Sequence, residues 1–268
     1  MSARLISAIK IYPLKSAAGQ ELKKIHISSQ GPDGDRRWML IDAEGKFLSQ
    51  RTLPKMATLQ THFNDQGLTV GFNNQFFRVP ITAPKRFVSV QIWDDRVEAA
   101  LEPDLYSQTL SQYLGVPCRL VRYTETSARK LPATESWQAG VQPEVRFADS
   151  RPLLLVNTAS LDDLNGRLSQ PIGIDRFRAN LVFNGQEAFE EECWKKIRIG
   201  NVTFSQPKKC SRCPMINNDQ VTGDSPSKEP LKVLSTYRRD GNKVIFGVLW
   251  IPENAGTIAL QDPLEILE

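Results

Sequence analysis

Two cysteines and three cations lie within six consecutive residues of this chain. The segment Lys208-Lys209-Cys210-Ser211-Arg212-Cys213 follows a predicted strand, 202–204. Neighbouring cations favour the thiolate form of a cysteine, and the thiolate is both a metal ligand and a nucleophile. No other segment gathers a soft ligand and positive charge so closely. This motif is therefore the first candidate for a reactive or metal-binding site.

A Cys-x-x-Cys pair is also compatible with other roles. A structural zinc site needs a second pair of ligands, but Cys118 and Cys193 stand alone and both histidines lie in the first part of the chain. A thioredoxin-type dithiol should open a helix in a parallel α/β unit, which Pro214 does not favour. Buried structural cysteines would not need cations beside them. The spacing alone leaves a structural role open, beside an activated thiolate that binds a soft transition metal through one sulfur.

Basic residues at the ends of predicted strands form a second group, far from the cysteines in sequence. Its members are Lys15 beside Ser16, Arg36 with Arg37, Arg51, and Arg178 close to Asn180. Single cations at strand ends are usually solvated, and Asp35 and Asp175 could neutralise them in surface pairs worth little. Together they could clamp a phosphate or another oxyanion, for which arginine geometry is suited. The pattern alone does not decide between these interpretations.

Short strands separated by turn residues dominate the first part of the chain. The predicted strands there are 5–12, 38–41, 47–49, 57–62, 68–72, 75–79, 88–93 and 97–101. A helix is predicted at 104–114, with Gly115 just beyond its end, and a strand follows at 118–123. Short strands at this spacing are typical of a barrel or a sandwich.

The second part mixes strands with two helices. Predicted strands lie at 152–156, 180–183, 196–199, 202–204, 244–251 and 256–266, with a helix at 230–237. Ser160 and Asp163 form a capping-box pattern that predicts a helix from 160 to 168. The polar stretch 124–149 is predicted to be a lid or disordered because it is long for a loop. The fold class is therefore mainly β with a few helices (α+β).

Composition excludes several function classes. The net charge of the 268 residues is +4, and no stretch combines basic and aromatic residues as a nucleic-acid surface would. No apolar run is long enough to span a membrane, and the first residues lack a signal-peptide core. Four cysteines do not make a disulfide framework, which favours a reducing compartment. We therefore expect a cytoplasmic protein with neither a nucleic-acid nor a membrane partner.

Several motifs in fixed order resemble those of the MOSC superfamily, named for the C-terminal domain of molybdenum cofactor sulfurase. They are Tyr-Pro-Leu-Lys-Ser at 12–16, Gly-Asp-Arg-Arg-Trp at 34–38, Arg-Phe-Arg-Ala-Asn-Leu-Val at 176–182, Cys-Ser-Arg-Cys at 210–213, and the ending segments 228–231 and 253–258. The resemblance spans nearly the whole chain and is strongest to the amidoxime-reducing component group and its bacterial relatives. It implies a β-barrel MOSC domain at 121–268 and an N-terminal β-barrel companion domain at 1–120.

The resemblance also implies roles for individual residues. In that group the second cysteine of the motif ligates molybdenum, which here is Cys213, and an acidic residue close to the metal matches Asp219. The residues implied to bind the molybdenum cofactor (Mo-molybdopterin) are Lys15, Ser16, Arg36, Ser150, Arg178, Asn180, Ser211 and Arg212. The second half of the chain has no histidine. Asp219 or water is therefore the expected proton source.

The implied function is an oxidoreductase that reduces N-hydroxylated small molecules. Two electrons and two protons convert R–NH–OH to R–NH₂ and water. The sequence has no Gly-x-Gly-x-x-Gly turn and no cysteine set for an iron–sulfur cluster, so electrons are expected from a separate flavin or iron–sulfur reductase. Lys208, Lys209 and Arg212 could guide such a reductase if it is acidic. The alternatives are a cofactor-binding or sulfur-carrier module in cofactor maturation, and a structural barrel without a cofactor.

Three positions depart from the family pattern. Lys209 precedes Cys210 where many relatives have proline, and Pro214 follows Cys213 where they carry a larger apolar residue. Leu249 stands where close relatives have an aromatic side chain near the cofactor. These departures leave the shape of the substrate pocket open.

Overall fold

The computed structural model describes residues 3–131 and 144–268. The strands before residue 131 are β1 (Ile6–Ile11), β2 (Gln20–Leu22), β3 (Lys24–Ser28), β4 (Gly31–Pro32), β5 (Trp38–Ile41), β6 (Gln60–Asn64), β7 (Gly67–Phe72), β8 (Gln75–Val79), β9 (Phe87–Ile92), β10 (Asp95–Leu101), β11 (Arg119–Arg122) and β12 (Arg129–Lys130). Those after residue 143 are β13 (Glu144–Val145), β14 (Leu153–Asn157), β15 (Leu181–Phe183), β16 (Lys196–Ile199), β17 (Val202–Arg212), β18 (Arg239–Asp240), β19 (Lys243–Pro252), β20 (Gly256–Ala259) and β21 (Leu264–Ile266).

The α-helices in these ranges are α1 (Asp104–Leu114), α2 (Thr158–Asn165) and α3 (Glu229–Tyr237). Strands far outnumber helices, so the predicted mainly β class is confirmed. None of the helices in the described ranges has both the length and the apolar character needed to cross a membrane.

The central element is a nine-stranded sheet that uses both ends of the chain. Its order is β2-β1-β15-β14-β19-β17-β16-β21, with β18 beside β19. Strand β1 pairs antiparallel with β15, and β3 pairs antiparallel with β20 in a smaller sheet. Strands β14 and β15 are parallel neighbours, and α2 lies in the connection between them. The division of the chain between residues 120 and 121 stays a prediction, and strand pairing crosses that point.

The largest core is formed by apolar side chains of the central sheet and of β3 and β20. Phe183, Phe204 and Trp250 are fully buried there, together with Leu155 and Ile27. Burial of each such side chain stabilises the fold by about 1.5–3 kcal/mol. A second cluster joins the central sheet to α2 and α3, which contribute Leu164 and Leu234.

The residues between β4 and β12 build a separate core. A four-stranded sheet, β5-β11-β10-β9, and a three-stranded sheet, β6-β7-β8, supply most of its strands. Trp38, Leu68 and Leu120 are buried in it against Leu110 of α1. Helix α1 has the predicted bounds, and Gly115 ends it with a φ of 76°. Glycine is favoured there because the left-handed conformation costs it nothing.

Several elements differ from their predicted bounds, and one prediction falls partly on residues 132–143, outside the described ranges. The predicted strand 47–49 is wrong, because Phe47 forms only an isolated bridge with Ile41, and the predicted strand 256–266 is divided into β20 and β21. The first half of the predicted strand 57–62 is wrong, because Pro54–Thr58 forms a 3₁₀ helix and β6 begins at Gln60. Proline suits the first turn of a helix, whose N–H groups have no partner there. Helix α2 begins at Thr158 rather than Ser160, since the side chain of Asn157 accepts a hydrogen bond from the Ala159 amide. The described remainder of the predicted lid holds β12, β13 and a short 3₁₀ helix.

Glu191 gives the fold a testable dependence on pH. Its side chain is fully buried, one carboxyl oxygen has no hydrogen-bond partner among the described residues, and burial raises its pKa to about 7. The folded state therefore favours the protonated acid, whereas the unfolded chain ionises above its ordinary pKa of 4.5. The contribution of Glu191 to the free energy of unfolding therefore falls as pH rises from 4.5 and is constant above about 7.

Glu191→Gln should therefore gain stability relative to the wild type as pH rises, by up to about 3 kcal/mol above pH 7. Denaturant unfolding at pH 5, 6, 7 and 8 measures the difference. The matched control is Glu187→Gln, since Glu187 is exposed on the same segment and should show no such trend. Parallel pH profiles for the wild type and Glu191→Gln would contradict the prediction.

Candidate functional site

A cavity of about 610 Å³ is lined by residues from both halves of the chain. Among the described residues that line it, ten side chains are basic and three are acidic. The basic ones are Lys15, Arg36, Arg51, Arg129, Arg151, Arg176, Arg178, Lys208, Lys209 and Arg212, and the acidic ones are Asp94, Asp95 and Asp149. A concave surface with such an excess of cations attracts anions.

Four of these cations have no carboxylate partner among the described residues. The other six form ion pairs, but Arg151, Arg178, Lys208 and Arg212 do not. The Nε atoms of Arg151 and Arg212 are also buried, and neither has a hydrogen bond to any residue that the structure describes. A buried donor without a partner is costly, so these two atoms are explained most simply by an acceptor that the protein itself does not supply.

Arg36 and Arg178 both pack on the ring of Tyr12. Their guanidinium carbons lie 4.5 Å and 4.2 Å from the ring centroid. Arg178 is buried and donates from Nη1 to the carbonyl of Ala17 at 2.6 Å. Burial lowers the pKa of Arg178 to about 10, so the side chain stays charged at neutral pH. Arg36 is paired with Asp35, which also accepts from the Tyr12 amide.

Asn180 holds this arrangement in place. Its amide nitrogen donates to the Lys10 carbonyl at 3.2 Å and to Asp35 at 3.1 Å. Its oxygen accepts from the Leu154 amide at 3.1 Å and from Arg36 at 3.2 Å. The amide of Asn180 is therefore fully used within the protein, and the residue positions Arg36 rather than offering a free donor to a ligand.

Asp149 is a central residue of the cavity that the sequence analysis missed. One of its oxygens pairs with the buried Lys15, and the other accepts from Arg51 at 3.2 Å. Burial acts to raise the pKa of Asp149, but the two cations outweigh it and hold that pKa well below its usual range. Burial lowers the pKa of Lys15, whose Nζ also donates to the Phe147 carbonyl at 2.8 Å. Asp149 thus fixes two of the lining cations.

The six consecutive residues 208–213 all line the cavity. A regular strand would turn alternate side chains to opposite faces. Strand β17 is irregular against β19, with register shifts between Ser205 and Lys208 and between Lys209 and Ser211. Gly247 lies at the second shift with a φ of 76°, as expected for a β-bulge. The prediction that this strand ends at Phe204 is wrong, because β17 continues through Cys210 to Arg212.

The two thiols of the motif have different surroundings. Nη1 of Arg212 donates to the sulfur of Cys210 at 3.0 Å. Cys213 follows β17, is half-buried and immediately precedes the 3₁₀ helix Pro214–Asn217. Within residues 3–131 and 144–268 no hydrogen bond reaches the Cys213 sulfur, and no group of three His, Cys, Asp or Glu residues could hold a metal. The structure therefore gives no support in these ranges to the zinc site that the spacing left open.

Backbone strain is concentrated at this cavity. Eight non-glycine residues in the described ranges have a positive φ, and four of them line the cavity: Ser16, Arg36, Trp93 and Arg178, with φ of 67°, 45°, 56° and 57°. Such conformations persist where the surroundings enforce them, and they cluster at functional sites. Trp93 is also 44% exposed, and Arg51 stacks on it at 4.7 Å.

Two family models match this chain in succession. The MOSC N-terminal beta barrel domain matches residues 3–117, and the MOSC domain matches residues 142–265. The chain belongs to the MOSC family. The predicted superfamily and the β-barrel companion domain are confirmed.

Relatives of this MOSC protein carry names connected with molybdenum and with amidoxime reduction. It is 32% identical to a molybdenum cofactor sulfurase of Oryza sativa subsp. japonica. That alignment covers 91% of this chain but only 32% of the length of the relative. It is 28% identical to mitochondrial amidoxime-reducing component 1 of Mus musculus, and 27% identical to that of Homo sapiens. Each of these two alignments covers 98% of the chain and 82% of the relative. The family is thus associated with the molybdenum cofactor.

Of the ten residues that the resemblance implied for the site, the structure places nine on this cavity. They are Lys15, Ser16, Arg36, Ser150, Arg178, Asn180, Ser211, Arg212 and Cys213. Lys208 donates to the hydroxyl of Ser150 at 3.2 Å. Arg151, next in the chain, is a further lining residue that no sequence motif indicated.

Asp219 is the tenth residue, and it is not among those that line the cavity. One of its oxygens accepts from the amides of Thr222 and Val221, and the other accepts from Arg176 at 3.1 Å. These backbone hydrogen bonds, with the charge of Arg176, lower the pKa of Asp219. A carboxyl group with a lowered pKa carries no proton at neutral pH, so the geometry disfavours Asp219 as the proton source. It fixes Arg176, which does line the cavity.

The donor set of the cavity fits a molybdenum cofactor in two respects. The sulfur of Cys213 is free to act as a soft ligand. The orphaned Nε atoms of Arg151 and Arg212, with the other unpaired cations, suit the oxygen and nitrogen acceptors of a pterin and its phosphate.

Proposed function

We propose that this MOSC protein is a molybdenum-cofactor-dependent oxidoreductase that reduces N-hydroxylated compounds, with electrons from a separate flavin or iron–sulfur reductase. The observation that carries the proposal is made within the described residues: the Cys213 sulfur, without a hydrogen bond, lies in the same cavity as four cations without a carboxylate partner. A soft thiolate suits molybdenum, and unpaired cations suit a phosphate. The names of the amidoxime-reducing relatives support the reaction class.

Cys213 would ligate the metal, and Arg151, Arg178, Lys208 and Arg212 would hold the phosphate and the pterin. When bound, the cofactor supplies two-electron oxidation and reduction at a metal. Lys15 is already committed to Asp149 and to the Phe147 carbonyl. The main contribution of Lys15 to the cavity wall is therefore its positive electrostatic potential, rather than a free hydrogen-bond donor.

Each turnover consumes two protons. Asp219 is ionised and lies outside the cavity lining, so it does not supply them. Lys208 and Lys209 are exposed as well as lining the cavity, so water reaches the site at this end. Solvent water is therefore the proton source in this proposal.

Protein made in a host that synthesises molybdenum cofactor should contain molybdenum and pterin. It should reduce hydroxylamine-type substrates with an artificial reductant or with a supplied reductase, and it should be inactive with NADH or NADPH alone. The sequence offers no dinucleotide turn and no cluster cysteines. Metal analysis and amine formation measure the two outcomes. Robust NADPH-dependent turnover by the isolated chain would contradict the need for a partner.

The second candidate function is sulfur carriage in cofactor maturation. Two observations favour it: Arg212 lies against the sulfur of Cys210, and one relative is named as a molybdenum cofactor sulfurase. Mass spectrometry of the purified chain distinguishes the two functions. An extra sulfur atom on Cys210 or Cys213, in protein that does not turn over N-hydroxylated compounds, would favour the carrier.

A further inference from the structure

A second groove, of about 640 Å³, lies behind one wall of the cavity. That wall is the 3₁₀ helix Pro214–Asn217, which directly follows Cys213. Met215 and Ile216 line the cavity, whereas Pro214 and Asn217 line the groove. Arg51 lines both. The groove is thus separated from the residues around Cys213 by a single short helix.

All of the charged residues that line this groove are basic in the part of the chain that the structure describes. They are Arg51, Lys228, Lys232 and Arg239. Arg51 is already paired with Asp149, but the other three are exposed and form no ion pair within the described ranges. Lys228 immediately precedes α3, Lys232 lies one turn further along the helix, and Arg239 lies just beyond the end of the helix, in β18. We call Lys228, Lys232 and Arg239 the basic face.

Stabilisation of α3 and its flanking residues does not explain why the three cations of the basic face are there. Lys228 precedes the first residue of α3, where the helix dipole disfavours a cation. Nε of Arg239 donates only to the Ser235 carbonyl, at 3.1 Å. The groove is also lined by the apolar residues Leu231, Pro54 and Val244. An apolar surface with a charged rim is typical of a protein–protein interface.

The cations beside the cysteines are less available to a partner than the sequence suggested. Lys209 is paired with Glu192. Arg212 donates inward, to the Phe177 carbonyl at 2.7 Å and to Cys210. Lys208 donates to Ser150 at the cavity. Among the described residues, Lys228, Lys232 and Arg239 are therefore exposed cations beside the cavity wall that have neither an ion pair nor a contact inside the cavity lining.

We propose that the groove, with its basic face, is the docking surface for an acidic electron-donor protein. The direction of electron flow rests on the proposed function, whereas the position of the docking surface rests on the structure. Complementary charge would steer the donor to the groove and raise its association rate. The thin wall formed by Pro214–Asn217 would then be all that separates the bound donor from the residues around Cys213.

The test compares two triple variants of the full chain. Lys228→Glu/Lys232→Glu/Arg239→Glu reverses the basic face. Lys23→Glu/Lys24→Glu/Lys85→Glu makes the same change of net charge at exposed residues that line neither the groove nor the cavity. The probe is a purified acidic flavodoxin. Its affinity is measured by titration at low and high salt, and turnover is measured with reduced flavodoxin and with reduced methyl viologen, a small reductant that needs no docking.

Reversal of the basic face should weaken flavodoxin binding at low salt by roughly tenfold or more, and the control should keep most of the wild-type affinity. Added salt should weaken wild-type binding, since the Debye length falls from about 30 Å at 0.01 M to about 10 Å at 0.1 M. Turnover with methyl viologen should be unchanged in both variants, whereas turnover with flavodoxin should fall only when the basic face is reversed.

Equal affinity in the two triple variants, or no flavodoxin binding by the wild type, would overturn the proposal. So would an equal loss of turnover with both reductants, because the damage would then lie in the cavity. Tighter binding of a single-stranded oligonucleotide at the groove, or loss of a dimer on reversal, would assign the surface to another occupant. If the wild type turns over nothing with methyl viologen, the proposed function fails, and the titration still decides the docking surface.

Discussion

Cys213→Ser should purify without molybdenum and without activity, whereas Cys210→Ser should keep most of both. The sulfur of Cys213 has no hydrogen bond in the described structure, while that of Cys210 is engaged by Arg212. A serine hydroxyl is a hard and weakly acidic ligand, and it does not replace a thiolate for a soft metal. Molybdenum per chain, measured by elemental analysis, is the primary readout.

Cys193→Ser is the matched control, since Cys193 is exposed and does not line the cavity. Thermal unfolding of all three variants shows whether a lost metal reflects a lost fold. Equal loss of molybdenum in the Cys210 and Cys213 variants would point to a dithiol, and loss in Cys210→Ser alone would reverse the assignment. Retention in all three would remove the basis of the proposed function.

Arg151→Gln should weaken cofactor retention without destabilising the protein. Burial alone lowers the pKa of Arg151, its Nε has no partner, and it forms no ion pair in the described ranges. The folded protein therefore gains little from this charge, and its unfolding free energy should change by less than about 0.5 kcal/mol or should rise. A lost hydrogen bond to an anionic ligand should cost roughly 10- to 100-fold in affinity. Weaker cofactor retention with unchanged or higher stability identifies a ligand-binding residue, whereas loss of stability identifies a structural one.

Arg119→Gln is the control for that charge change. Arg119 also has a buried Nε without a partner among the described residues, but its Nη2 donates to the carbonyls of both Asp42 and Ala43, away from the cavity. It should lose stability and keep the cofactor. Molybdenum content after extended dialysis and denaturant unfolding give the two measurements. Full retention by Arg151→Gln would exclude Arg151 from the binding site.

Much of the cavity could be predicted, but by the order of its motifs rather than by charge alone. Lys15, Arg36 and Arg178 are far apart in sequence, and each alone resembles a solvated cation at a strand end. Asp149 and Arg151 were missed because they lie in or just after a polar stretch without periodicity. The role of Asp149 depends on Lys15 and Arg51, which only the folded chain brings beside it.

The elements were predictable where one physical signal governed them. Helix α1 followed from its apolar spacing and from Gly115, the residue that ends it. Strand β17 was underestimated because the polar residues 208–212 show no alternation, and its bulges remove the period-two signal. The start of α2 was misplaced because Ser160 fits a capping box, yet its hydroxyl accepts from the Phe189 amide while Asn157 caps the helix.

The pairing of β1 with β15 joins the two halves of the chain and affects how the protein unfolds. A fragment that begins after residue 120 would leave one edge of β15 open to other chains. It would also lack Lys15, Ser16 and Arg36 from the cavity wall. Neither half can therefore be exchanged or removed as an independent module. Detachment of β1 from β15 should therefore disrupt the central sheet and the wall of the cavity together.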